Sequence, residues 1–141
     1  MKMKTKRKLC LLILFLYLLV LLQITVWRNG QFQWLSGGSV NLSLFREYGL
    51  LLKNRQYWLS IYLFVGNLIW FVPLGFLLPK LIICRWYHIF WCGLLLSLLI
   101  ETLQFLLGTG VSDLDDLILN TAGSMLGYAL HHLRLPKKKK R

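Results

Sequence analysis

Four stretches of the chain are almost wholly apolar, and each is about as long as a bilayer is thick. The first, residues 9–27, has only Gln23 and Thr25 as clearly polar members. At a rise of ~1.5 Å per residue, a helix over it covers ~28 Å, enough to cross the hydrocarbon core. Comparable runs lie at about 58–78, 86–107 and 114–133, joined by short connections. Between 28 and 57 the pattern changes. Asn29, Gly30, Ser36, Gly37, Gly38, Ser39 and Asn41 break the periodicity, while Trp34, Leu42, Leu44, Phe45 and Leu50 to Leu52 keep it apolar beside Arg46, Glu47, Lys53 and Arg55. Such a mixture predicts an interfacial outer loop between the first two spans, with room for a short amphipathic helix. The pattern as a whole predicts an all-α membrane protein: a bundle of four transmembrane helices filling 9–133, with a basic N-terminus at 1–8 and a basic tail at 134–141.

Composition agrees, since 57% of the 141 residues are hydrophobic and water is a poor solvent for such a chain. The net charge of +12 would raise the question of nucleic acid were the bases not placed at the borders of the apolar runs. Of 17 basic residues, five lie in Met1 to Lys8, six in Arg134 to Arg141, and two more are Lys80 and Arg85. With both termini inside, 13 bases face the cytoplasm and four, all in the first loop, face out. This is the positive-inside arrangement, and it predicts a multi-pass protein of the bacterial cell membrane with lipids, not nucleic acid, as its partners. The first run is too long for a signal-peptide core, and residues 24–30 lack a small-residue cleavage pattern, so it reads as an uncleaved anchor. Cys10, Cys84 and Cys92 have no metal spacing and are expected to be buried, inert thiols. Tyr57, Trp58, Trp86 and Tyr87 stand at span ends, where aromatic side chains anchor a helix at the head groups.

The chemistry lies in polar residues that lipid would reject. Glu101 falls about six residues before the outer end of the third span, ~10 Å deep, and Gln104 shares its face one turn on. Asn120 reaches a similar depth from the start of the fourth span, and Asn67 comes to ~14 Å in the second. Asn67, Glu101, Gln104 and Asn120 are therefore expected to form a polar pocket in the outer half of the bundle. Interhelical glue accounts for the amides, but a carboxyl costs more to bury, and Glu101 is the one candidate for a general acid or base. Asp113, Asp115 and Asp116 form an outer acidic cluster at the start of the fourth helix, where Ser112 and Asp115 approach a capping box. Three acids exceed what capping needs, so Asp113 and Asp116, three apart on one face, are also weighed as metal ligands. No cofactor is otherwise implied. His88, His131 and His132 lie toward the opposite end and do not suggest zinc. For packing, Pro73 should kink the second span with Gly75 easing the bend, and Gly123 and Gly127 form a small-xxx-small step that lets a neighbouring helix close in.

Three stretches resemble the VanZ-like family of bacterial membrane proteins, named for an accessory factor in resistance to the glycopeptide teicoplanin. Val40 to Phe45 is similar to the family's Asn-Leu-x-Pro-Phe element, although no proline stands between Leu42 and Phe45. Gly66 to Pro79 resembles its Asn-to-Pro-Leu-Gly span. Ser97 to Tyr128 carries Glu-x-x-Gln, then Asp-x-Asp-Asp, then Asn-Thr-x-Gly, with Gly110 where many members carry Arg. The likeness covers roughly 40–130 and implies Asn67, Glu101, Gln104, Asp113, Asp116 and Asn120 as motif positions. The leading reading is a non-catalytic membrane protein whose outer-leaflet polar pocket takes a lipid-linked or amphiphilic ligand, and the resemblance implies that it lowers susceptibility to teicoplanin-type antibiotics. The competing readings are a metal-dependent membrane enzyme acting on a lipid phosphate and a structural subunit of an envelope complex. Phosphoryl chemistry needs compensating cations, and the outer half of the spans has no Lys or Arg.

Overall fold

The computed structural model describes residues 2–27 and 38–133. Part of the expected interfacial loop, residues 28–37 with Trp34, and the basic tail 134–141 lie outside the described residues. The elements run α1 (Lys2–Thr25), β1 (Ser39–Asn41), α2 (Arg46–Lys53), α3 (Tyr57–Leu81), α4 (Trp86–Leu107), β2 (Val111–Asp113) and α5 (Leu114–Leu133). The two long helices bounded by turn signals coincide with the expected 86–107 and 114–133. Helix α1 begins before its apolar run and takes in the basic start of the chain, because Lys and Arg are good helix formers. Helix α3 continues three residues past the expected end, through Pro79.

Three helices, α1, α3 and α4, are long and apolar enough to cross a membrane, and the chain is a multi-pass membrane protein. Their leucines point outward: in α1 only Leu21 is buried, while Leu9, Leu12 and Phe15 are more than half exposed. In water this surface would aggregate; in lipid it is solvated. Helix α5, the fourth span expected from the sequence, has the length but a more polar face, and packing explains the difference. It sits against both α3 and α4, and among the described elements its interface with α3 is the most extensive. Its buried residues include Asp115, Asn120, Thr121 and Ser124, which meet protein rather than lipid.

Small residues set how closely these helices approach. A Cβ added to Gly123 would stand 2.1 Å from the Leu68 carbonyl oxygen, and one on Gly127 2.0 Å from that of Val72. From the other side, a Cβ on Gly75 would stand 1.8 Å from the Ser124 carbonyl oxygen. Gly75 is thus a contact surface for α5. The Tyr17 hydroxyl donates to the Trp70 carbonyl at 2.7 Å, joining α1 to α3 three residues before Pro73. Leu21, Val26, Phe71, Leu74, Ile100 and Leu107 form the apolar core between α1, α3 and α4. The expectation of buried thiols does not hold. Cys92 is exposed, and Cys10 and Cys84 are half-buried, because these spans turn most of their apolar surface toward lipid.

Strands β1 and β2 pair in parallel with Ser39 opposite Val111, Val40 opposite Ser112 and Asn41 opposite Asp113. The pair ties the loop before α2 to the loop before α5. Helix α2 packs on α3 through Tyr48, whose ring meets Phe64 edge-on at 5.8 Å.

Candidate functional site

Helix α4 ends at Gly108, whose φ of 60° is the left-handed turn that glycine adopts at little cost, and the chain runs back beside the helix as β2. This reversal brings Ser112 and Asp113 alongside Glu101. The Ser112 hydroxyl donates to the Glu101 carbonyl at 2.5 Å, and the Asp113 N–H donates to Glu101 Oε2 at 2.8 Å. Glu101, 7% exposed, therefore grips the strand through one carboxylate oxygen.

The acidic cluster is held by backbone and amide donors. Asp113 Oδ1 accepts from the Asp115 N–H at 2.9 Å, and its Oδ2 accepts from Asn41 Nδ2 at 2.9 Å. Asp113, not Ser112, caps α5; the Ser112 hydroxyl is spent on α4, so the capping box expected at Ser112 and Asp115 does not form. Asp115 is fully buried, and both its oxygens accept the Phe45 N–H at 2.9 Å. Phe45 has φ 51°, a strained conformation for a side chain with a Cβ, and this carboxylate fixes it at the head of α2. Asn67 Nδ2 donates to Asp116 Oδ1. Among the described residues, no three His, Cys, Asp or Glu side chains converge in a metal-binding group.

The four residues of the expected pocket do not meet as one group. Glu101 is joined to Asp113 and Asn67 to Asp116, so two of them converge on the acidic loop. Asn120 instead donates to the Ser97 hydroxyl at 2.9 Å. That pair lies one turn deeper, four residues before Glu101 on α4 and four after Asp116 on α5, a step of ~6 Å. Gln104 turns toward the end of α1 and donates to the Thr25 carbonyl at 3.1 Å. Its Oε1 and the Thr109 hydroxyl are buried without hydrogen-bond partners among the described residues.

Asn41, Ser97 and the Phe45 N–H are functional partners that reading the residues alone passes over. Asn41 looked like part of a loop; only its place in the family element marked it. Tyr48 is another. Burial, then the carboxylates of Asp116, Asp115 and Asp113, push its phenol up to about 12, so it stays neutral beside the acids at physiological pH.

Between β1, β2, α4 and the start of α5 lies an open cleft of about 250 Å³. Leu42, Leu98, Phe105 and Leu117 give it apolar walls, and Glu101 and Asp113 a polar end; among the described residues no Lys or Arg lines it. Leu42 is 72% and Leu98 50% exposed, so the mouth opens sideways through surface that elsewhere on these helices faces lipid.

The family model of VanZ/LLP1 matches residues 9–135, nearly the whole chain. The chain belongs to the VanZ/LLP1 family. No curated protein and no solved structure matches it. In this VanZ/LLP1 protein, Glu101 and Asn67, which the sequence marks as polar and membrane-buried, are tied to Asp113 and Asp116 of the outer acidic cluster.

Proposed function

We propose that the protein is a non-catalytic, four-span protein of the bacterial cell membrane that holds an amphiphilic ligand in the Glu101–Asp113 cleft and so lowers susceptibility to teicoplanin-type glycopeptides. The cleft carries this reading: an apolar trough with a carboxylate end that opens laterally is shaped for a molecule already dissolved in the membrane. The lining residues include no base to neutralise a phosphate, which favours holding over phosphoryl transfer. The resistance role rests on family membership.

In this reading α5 completes the bundle, shielded from lipid by α3 and α4, and both termini are cytoplasmic by the asymmetry of basic residues. A reporter active only outside the cell, fused after Arg141, should give no signal. A strong signal would reverse the orientation and place the cleft in the inner leaflet.

The function is tested by expressing the wild-type chain, Glu101→Gln and Leu117→Trp in a susceptible host and measuring teicoplanin and vancomycin susceptibility beside membrane abundance. Wild type should lower susceptibility to teicoplanin. Glu101→Gln keeps an oxygen for the Asp113 N–H, so the protein should accumulate normally while the phenotype falls; Leu117→Trp should lose it by filling the cleft. Full phenotype in both variants at normal abundance overturns the cleft as the site of action.

A further inference from the structure

The hydrogen-bond directions around the cleft carry information beyond its shape. The Thr102 hydroxyl, at its wall, donates to the Leu98 carbonyl at 2.7 Å, and the Ser112 hydroxyl donates to the Glu101 carbonyl at 2.5 Å. The Asp113 N–H is used by Glu101 Oε2 at 2.8 Å. Both hydroxyl protons of the described lining are thus committed to the protein's own backbone. What remains is lone pairs. Glu101 is more than nine-tenths buried and keeps its second oxygen without a hydrogen-bond partner among the described residues, while its small remaining exposure lies in the cleft it lines.

With Glu101 ionised, the described lining of the polar end offers two carboxylates, no base and no free side-chain donor, and this selects its ligand's head group. Phosphate and carboxylate bring acceptors and negative charge and find neither donor nor cation. A sugar hydroxyl can donate, but brings no charge to meet Glu101. An ammonium has three donors, no acceptor and a positive charge, and a charge-assisted hydrogen bond is about twice as strong as a neutral one. We infer that the cleft binds a cationic amphiphile, its ammonium group on Glu101 and its apolar tail between Leu98, Phe105 and Leu117. The inference rests on the cleft being the ligand site, and it narrows that ligand to amine-bearing molecules.

The test uses the full-length protein in phosphatidylcholine nanodiscs, whose zwitterionic surface attracts neither sign. A fluorescent long-chain alkylammonium is titrated in, then competed with dodecylammonium, dodecyl phosphate and dodecyl glucoside, each below its micellar concentration. Saturable binding, displaced by the ammonium at least tenfold more effectively than by the phosphate or glucoside, is the expected result. Glu101→Gln should weaken ammonium binding at least tenfold, and Leu117→Trp should abolish it. Unlabelled competitors that displace equally, or a Glu101→Gln protein that binds as tightly as wild type, overturn the cationic assignment and leave the cleft as a site for amphiphiles in general. If neither the labelled ammonium nor a matched fluorescent alkyl phosphate binds saturably, the amphiphile reading falls with it.

Discussion

Replacing Gly75 or Gly127 with alanine should all but remove the protein from the membrane. The added Cβ would stand 1.8 Å from the Ser124 carbonyl oxygen in the first case and 2.0 Å from that of Val72 in the second. Both are backbone atoms of a packed helix, so no side-chain rotation relieves the clash and α3 and α5 must part. Overpacking of this kind costs about 1–3 kcal/mol and sometimes more, a large share of the stability of a small protein. The effect also spreads, because Asn67 reaches Asp116 from α3 and parting the helices breaks that bond. Gly66→Ala is the matched control, with nothing within 4 Å of its added Cβ. Membrane abundance and the thermal midpoint in detergent should fall steeply for Gly75→Ala and Gly127→Ala and stay near wild type for Gly66→Ala. Equal behaviour of the three would mean that α3 and α5 are not in close backbone contact.

Asp115→Ala should release the first loop while leaving the long helices in place. It removes both acceptors of the Phe45 N–H at once, and Phe45 then has no reason to keep its strained φ of 51°. Loss of such a charged acceptor costs about 1–3 kcal/mol. The readout is a disulfide between Ser39→Cys and Val111→Cys, facing residues of the strand pair, in a background lacking Cys10, Cys84 and Cys92. The cross-link should form readily with Asp115 present and become slow or incomplete with Asp115→Ala. Asp115→Asn keeps one oxygen to accept the bond and should fall between them. Undiminished cross-linking in Asp115→Ala would show that the strands hold the loop unaided.

The long helices were legible because lipid imposes a simple demand: some 20 apolar residues bounded by charge, glycine or interfacial aromatics. Arg85 and Trp86 mark the start of α4, and Gly108 its end. The membrane-buried polar residues were legible for the same reason, since Glu101 and Asn120 contradict their surroundings. Their partners were not. Depth along a helix says how far in a residue lies, but not which way it faces across the bundle, so Asn67 and Asn120 looked like neighbours of Glu101 when they pair with Asp116 and Ser97. The three-residue strands were invisible, because so short a segment has no readable alternation and its partner lies some 70 residues away. Gly123 and Gly127 announced a close approach without naming α3 as the helix that approaches.

The strand pair also dictates an order of assembly. Asn41 meets Asp113 across 72 residues, so everything that locks the first loop, from the ladder to the Phe45 latch, comes from a part of the chain made much later. At about 5–20 residues per second, the ribosome delivers Asp113 roughly 4–14 s after Asn41. Throughout that interval the first loop has neither its β2 partner nor the Asp115 carboxylate that holds Phe45. The cleft is therefore completed only once β2 has been made, and a chain truncated before residue 111 would lack that wall and the Asp113 N–H that Glu101 accepts.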